Sequence, residues 1–219
     1  KDTDVILTVM KGDYEFFRNN LNFRIELMKT MKTKSLARWG HMIGIDKKSL
    51  AVIKRTNYQE MDALGLKLGE AIANSKYVEV IDEQTGANLM IENTDWTNAP
   101  IVDNGIITGI HSFGTYPAGE VCIVLDIKNE NSPRVSGKFV ADASMSGKLL
   151  TGETVEMEIE RNIVSNIEGG NAAQTLETIL SKIESELPRN MKERVREVGE
   201  IGFGINPLAT FRGSFIEDE

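Results

Sequence analysis

The stretch YVEVIDEQTGANLMIEN, residues 77–93, decides the fold class of this chain. Apolar residues alternate with polar ones on either side of Thr85 and Gly86, and a period of two predicts two short strands joined by a turn. Further strand-like stretches follow at residues 105–110, 120–127, 137–144 and 153–170. We therefore predict a mostly antiparallel, β-rich domain over residues 76–219.

One helix is predicted inside this β-rich domain. Residues 171–187, NAAQTLETILSKIESEL, place five apolar side chains on one helical face, and Pro188 ends the helix because proline cannot continue it. The five are Leu176, Ile179, Leu180, Ile183 and Leu187. We interpret this segment as a covering helix with no further role.

The N-terminal 75 residues carry a different pattern. DVILTVM, residues 4–10, is typical of a strand, and helical spacing follows it through Phe17, Leu21, Ile25 and Met28. We predict that RWGHMIGID, residues 38–46, is a loop because Gly40 and Gly44 punctuate it. Residues 47–74 are predicted to form one long or two short helices.

A lone parallel strand with helices does not complete a layered domain, because both edges of the strand are left unpaired. Residues 1–75 are therefore interpreted as the end of a larger α/β domain. The predicted fold class is α+β, with a partial α/β domain at residues 1–75 and the β-rich domain at residues 76–219.

Composition excludes several classes of protein. The chain of 219 residues has 33 acidic and 25 basic residues, a formal net charge of -8, and no basic stripe interleaved with aromatic residues, which argues against nucleic acid as a partner. A single cysteine excludes an internal disulfide framework. No apolar run approaches the roughly 20 residues of a membrane span, so we expect a cytoplasmic protein without membrane association.

A glutamate lies beside glycine in two places. Glu120 follows the turn Pro117–Gly119 in PAGEV, and Glu200 lies in GEIGFGIN at residues 199–206. Glycines remove side chains that would crowd a ligand, so both carboxylates are candidates to hold divalent cations and polarise a bound water. An acidic residue beside a turn is more often simply solvated, and this alternative stays open at both positions.

The histidines and the cysteine are poorer candidates. Neither His41 nor His111 has a second His or Cys at metal-ligand spacing, so both are interpreted as packing or surface residues. Cys122 lies inside a predicted strand and is interpreted as a small core residue.

An ordered set of motifs resembles the aminopeptidase T, or thermophilic leucyl aminopeptidase, family of metallopeptidases. The motifs are PAGEV at 117–121, GKFVADASMSG at 137–147, IERNIVSNIEGGNAAQTLETIL at 159–180 and GEIGFGINP at 199–207. RWGHMIGID is also similar to a stretch of that family's first domain. The resemblance covers most of the chain.

The resemblance implies a hydrolase that removes N-terminal amino acids from peptides, with two zinc or cobalt ions whose bound hydroxide attacks the carbonyl. It also implies that Glu120 and Glu200 are metal-site residues. We expect Glu120 to be a metal ligand and Glu200 a ligand or the general base, and which of the two roles belongs to which glutamate stays open. A homodimer is a further implication.

The chain departs from the family pattern, which completes the site with a histidine in a His-x-Ala-x-Gly segment and a later His-x-Asp pair. Two glutamates alone are expected to hold zinc weakly. We therefore expect either a fragment, truncated at its C-terminus and active only in a longer parent chain, or a relative without catalysis. Two alternatives stay open: an iron-dependent enzyme similar to the 2,5-dihydroxypyridine dioxygenases, and a non-catalytic binding or structural protein.

Overall fold

The computed structural model describes residues 5–10, 25–26, 29–30, 38–93, 99–109, 112–145, 148–192 and 194–211. The predicted α+β class is confirmed. The strands are β1 (Val5–Met10), β2 (Arg38–Ile43), β3 (Tyr77–Asp82), β4 (Ala87–Glu92), β5 (Ile101–Asp103), β6 (Phe113–Tyr116), β7 (Glu120–Val124), β8 (Arg134–Ala141), β9 (Ser144–Met145), β10 (Lys148–Leu149), β11 (Val155–Glu160), β12 (Ile163–Gly169) and β13 (Glu200–Gly204). The helices are α1 (Lys47–Arg55), α2 (Tyr58–Ala73), α3 (Asn171–Glu186) and α4 (Arg189–Lys192).

The stretch that predicts the fold class forms the hairpin β3–β4, with Gly86 at a φ of 76° in its turn. This hairpin is one side of a five-stranded antiparallel sheet in the order β12-β11-β8-β4-β3. Leu89, Ile91 and Val135 are buried on its inner face because alternate residues of a strand point to opposite sides. The predicted antiparallel character is thus confirmed for this region.

A buried asparagine fixes the turn between β11 and β12. Arg161 and Asn162 both have positive φ, at 48° and 74°, and asparagine tolerates this conformation better than most residues. The Asn162 side chain accepts a hydrogen bond from the Val135 backbone N–H at 2.6 Å and donates one to the Pro133 carbonyl at 2.9 Å. The turn is therefore tied to the start of β8.

The parallel sheet β1-β2-β6 overturns one prediction. RWGHMIGID is not a loop, because residues 38–43 form β2, the middle strand of this sheet. A Cβ at Gly40 would lie 3.0 Å from the Leu7 side chain and 3.2 Å from the Tyr116 ring. The glycine accommodates close packing across the sheet, and only Gly44, at a φ of 62°, lies beyond the end of the strand.

The third strand of the parallel sheet comes from the region predicted to be a separate domain. β6 pairs with β2 through Trp39, which is opposite Phe113, and the strand predicted at residues 105–110 is wrong over its described part, 105–109. Of the helix predicted from Phe17 to Met28, most positions lie outside the described residues. The division between residues 75 and 76 stays a prediction.

The third sheet, β13-β7-β5, is antiparallel and is backed by α2. A Cβ at Gly65 of α2 would lie 2.7 Å from Val102 and 3.0 Å from Ile205, so the helix approaches the sheet closely only because glycine is present. Val121 and Ile123 of β7 are buried on this side. The other face of the sheet is consequently left open for polar side chains.

The predicted covering helix forms as α3, but only part of its apolar face is buried against the sheet. Ala173 is buried against Val155, whereas Ile179 and Ile183 are 46% and 38% exposed. Of the helices within the described ranges, none combines the length and apolarity that crossing a membrane demands.

Candidate functional site

Alternation along β7 separates the core from the candidate site. Val121 and Ile123 point towards α2, so Glu120 and Cys122 point to the opposite face. The register places Asp103 of β5 opposite Glu120, and it places Gly202 of β13 opposite Cys122. Three neighbouring strands therefore present their polar groups on one face.

Gly202 lies beneath the Glu120 carboxylate. A Cβ built on Gly202 would overlap the Oε1 atom of Glu120, so no residue other than glycine leaves this carboxylate in place. Glu120 is paired with Gly204 in the register, and its side chain therefore leans along β13 from Gly204 towards Gly202 and Glu200. The glycine spacing of GEIGFGIN thus makes room for a carboxylate from the other motif.

Cys122 contacts the second candidate glutamate. Its Sγ atom donates a hydrogen bond to Oε2 of Glu200 at a distance of 3.3 Å. The thiol is buried, as expected for a small core residue, but its contact with Glu200 does not follow from that interpretation. Sequence reasoning missed it because the pairing of β7 with β13 joins residues 78 positions apart.

The three strands form the floor of a cleft of about 280 Å³, which we call the carboxylate cleft. Asp103, Glu120 and Glu200 supply its charged side chains. Its remaining wall is largely apolar and comes from Ile101, Ile106, Ile107 and Phe113. Among the described residues that line this cleft there is no lysine or arginine to balance the carboxylates.

Accumulated negative charge changes proton affinity in the cleft. Burial raises the pKa of the Glu120 carboxyl, and the charges of Glu200 and Asp103 raise it further. Burial also raises the pKa of Asp103, although hydrogen bonds from the backbone of Gly105 and Thr115 oppose that change. The charge pattern favours a positively charged ligand, because a cation between the carboxylates would relieve their repulsion.

Two tyrosines behind the cleft respond to the same charge. Burial and the charge of Asp103 raise the pKa of the Tyr116 hydroxyl, which donates to the Gly105 carbonyl at 2.7 Å. Burial, Tyr116 and Asp103 together raise the pKa of Tyr58 to about 12. Both phenols are therefore neutral hydrogen-bond donors at physiological pH.

Asp103 is the member of the cleft that sequence reasoning missed. It ends the three-residue strand β5 and precedes Asn104 and Gly105. A strand this short gives no period to detect, and the nearby pattern at residues 105–110 predicts a strand that does not form. The one feature of the sequence that could point to Asp103 is its position between a short apolar run and an Asn-Gly turn.

His41 does not belong to the cleft. The imidazole is buried, shares a 2.5 Å hydrogen bond with the Thr8 hydroxyl and packs against Trp39, in line with the packing interpretation. His111 lies outside the described residues. Within the described ranges, no three His, Cys, Asp or Glu side chains are grouped so that they could hold a metal ion by themselves.

Comparisons with known proteins show distant structural similarity. The 2,5-dihydroxypyridine dioxygenase from Pseudomonas putida KT2440 aligns with a TM-score of 0.60 and 13% sequence identity, over 87% of this chain and 56% of that chain. AmpT from Thermus thermophilus aligns with a TM-score of 0.49 and 13% identity, over 92% of this chain and 55% of that chain. This chain therefore spans just over half the length of each.

The similarity to the dioxygenase shows a shared fold and leaves the chemistry open, because proteins of one fold perform different reactions. No protein-family model matches the sequence, and no curated protein matches it.

Proposed function

We propose that this chain carries part of the metal site of an aminopeptidase-like hydrolase, with Glu120 and Glu200 as its metal-site residues. The main support for this proposal is the carboxylate cleft, in which Asp103, Glu120 and Glu200 face one space. The described residues that line the cleft include no lysine or arginine. The resemblance of the PAGEV and GEIGFGIN motifs to metallopeptidases supports the same reading.

The donor set fits a divalent cation in part. Carboxylate oxygens suit such ions, whereas zinc usually takes several His or Cys ligands, so we propose that further ligands come from outside the described residues. A bound zinc or cobalt ion would supply Lewis acidity and an acidified water. Glu120 and Glu200 would hold the ion, and the apolar side chains of Ile106 and Phe113 would line the cleft beside it.

Glu200 fits a second role in the proposed reaction. The Cys122 thiol holds its Oε2 atom, which leaves the carboxylate oriented while its side chain stays exposed. A carboxylate in this setting is suited to accept a proton from an attacking water and return it to the leaving amine. We therefore propose Glu200 as general base or ligand and Glu120 as ligand.

The test is peptide hydrolysis by the polypeptide of the whole gene, with and without Co²⁺ or Zn²⁺. We expect release of N-terminal amino acids from free peptides and none from N-acetylated ones. Glu120→Gln and Glu200→Gln should each lower kcat/KM by about 10²-fold or more, since loss of a catalytic proton acceptor alone costs that much. Full activity in both variants would refute the assignment.

A matched control separates chemistry from folding. Glu83→Gln removes one carboxylate from the exposed β3–β4 turn and should leave both hydrolysis and the melting temperature unchanged. Activity lost in this variant as well would mean that the assay reports stability and not the cleft.

A dioxygenase-like enzyme is the second candidate, because the 2,5-dihydroxypyridine dioxygenase shares the fold. It would be favoured if the purified protein contains iron and consumes oxygen in the presence of 2,5-dihydroxypyridine. A protein that binds no divalent metal, hydrolyses no peptide and consumes no oxygen would instead be a binding or structural relative.

A further inference from the structure

The turn before Glu120 is held by a residue of the other motif. The Asn206 side chain donates a hydrogen bond to the Ala118 carbonyl at 2.8 Å and another to the Thr56 hydroxyl at 3.2 Å. Its carbonyl oxygen accepts one from the Leu208 backbone N–H at 3.0 Å. Asn206 therefore joins the PAGEV turn, the end of α1 and the segment after β13.

Backbone contacts reinforce this connection. The Ile205 N–H donates to the Gly119 carbonyl at 2.8 Å. Gly119 has a φ of 132°, and a Cβ there would lie 2.5 Å from the Cβ of Asn206 and 2.9 Å from the sulfur of Met61. The turn is thus pressed against Asn206, and Glu120 is the next residue along the chain.

The same connection fixes the position of Glu120 relative to β13. Gly204 is opposite Glu120 in the register, so Ile205 and Asn206 continue β13 past Glu120 and fold over its turn. Groups outside the ligand set that orient a metal ligand commonly matter to metal affinity nearly as much as the ligand itself. A shift of the Ala118–Gly119 turn would move the Glu120 carboxylate off Gly202.

We infer that Asn206 is a positioning residue for Glu120, acting through the Ala118 carbonyl; this inference rests on the function proposed above. The asparagine of GEIGFGIN is therefore required by geometry and not by contact with a ligand. The sequence places Asn206 at the end of the GEIGFGIN motif and does not indicate what its side chain does.

The test compares Co²⁺ binding by the full chain and its variants, measured by isothermal titration calorimetry. Asn206→Ala should weaken Co²⁺ binding by about 10- to 100-fold, the usual effect of removing a residue that orients a ligand. Asn206→Asp keeps the acceptor for Leu208 but loses the donor to Ala118. We expect it to bind Co²⁺ more weakly as well, although its added negative charge alone would strengthen binding.

Asn162→Ala is the matched control, because the Asn162 side chain, like that of the half-buried Asn206, bonds a backbone N–H and a backbone carbonyl. Asn162 is fully buried and lies outside the cleft. It should lower the melting temperature and leave Co²⁺ affinity within about twofold. Wild-type affinity in folded Asn206→Ala and Asn206→Asp would overturn the inference. Equal weakening by Asn162→Ala would also overturn it, and absence of binding by the wild type would instead refute the proposed function.

Discussion

At the scale of single residues, Gly202 of the GEIGFGIN motif provides the space for the side chain of Glu120 from the PAGEV motif. Gly202→Ala places a methyl group where the Glu120 carboxylate lies, so the carboxylate must move. We expect this variant to fold and to bind Co²⁺ at least about tenfold more weakly than the wild type in calorimetry.

Gly199→Ala is the control for that change. It adds the same methyl group three residues earlier, beside Glu200, where a Cβ would meet no heavy atom within 4 Å. Its Co²⁺ affinity should equal that of the wild type. If Gly202→Ala also binds normally while circular dichroism shows it folded, the position of Glu120 does not matter for the cation.

The raised pKa values of Glu120 and Asp103 determine the direction in which the free energy of unfolding changes with pH. Because the pKa values of Glu120 and Asp103 are raised in the folded state, the folded chain keeps protons that the unfolded chain has already lost. The free energy of unfolding therefore falls as pH rises from the ordinary carboxyl pKa, about 4, through the raised values. Removing either charge should abolish part of this loss.

Urea unfolding in the absence of divalent metal measures the effect. Glu120→Gln and Asp103→Asn should each unfold at higher urea than the wild type at pH 7, and the advantage should disappear as pH approaches about 4. Glu83→Gln accounts for the general benefit of removing one charge from an acidic protein. If the urea midpoints of the two cleft variants at pH 7 rise no more than that of Glu83→Gln, repulsion between the cleft carboxylates does not destabilise the folded chain.

At the scale of elements, the sequence predicts what depends on local pattern. The hairpin β3–β4 and the helix α3 form as predicted, because alternation, turn glycine and helical spacing act within a few residues. The strand β2 was missed because Gly40 looks like a loop residue in sequence. Only the neighbouring strands, which bring Leu7 and Tyr116 against it, reveal a close-packed strand position.

The candidate site divides in the same way. Glu120 and Glu200 stand out because each directly follows a glycine, and that signal is local. Asp103 does not stand out, and its place opposite Glu120 depends on the pairing of β5 with β7. The contact between Cys122 and Glu200 depends likewise on the pairing of β7 with β13. A single sequence does not show which distant strands pair or in which register, so these partners are identified only from the structure.

At the scale of the whole molecule, β6 connects the parallel sheet to the carboxylate cleft. It pairs with β2, where the ring of Phe113 lies 4.9 Å from that of Trp39, and it leads directly into the turn before β7. Tyr116 of the same strand meets Tyr58 of α2 with ring centroids 6.3 Å apart. We therefore expect the parallel sheet and the β-rich region to unfold together.

The Trp96→Phe variant tests this expectation, because it leaves Trp39 as the one tryptophan of a chain that has two. Trp39 fluorescence and far-UV circular dichroism should give the same urea midpoint, as a single cooperative transition requires. In that background, Phe113→Ala should lower the urea midpoint followed by Trp39 fluorescence more than Phe139→Ala does. The two phenylalanine rings are similarly exposed, at 40% and 37%, but of the two only Phe113 contacts Trp39. Two well-separated midpoints in the parent variant would instead mean that residues 1–75 unfold as a domain of their own, and that β6 is a weak contact between two independent units.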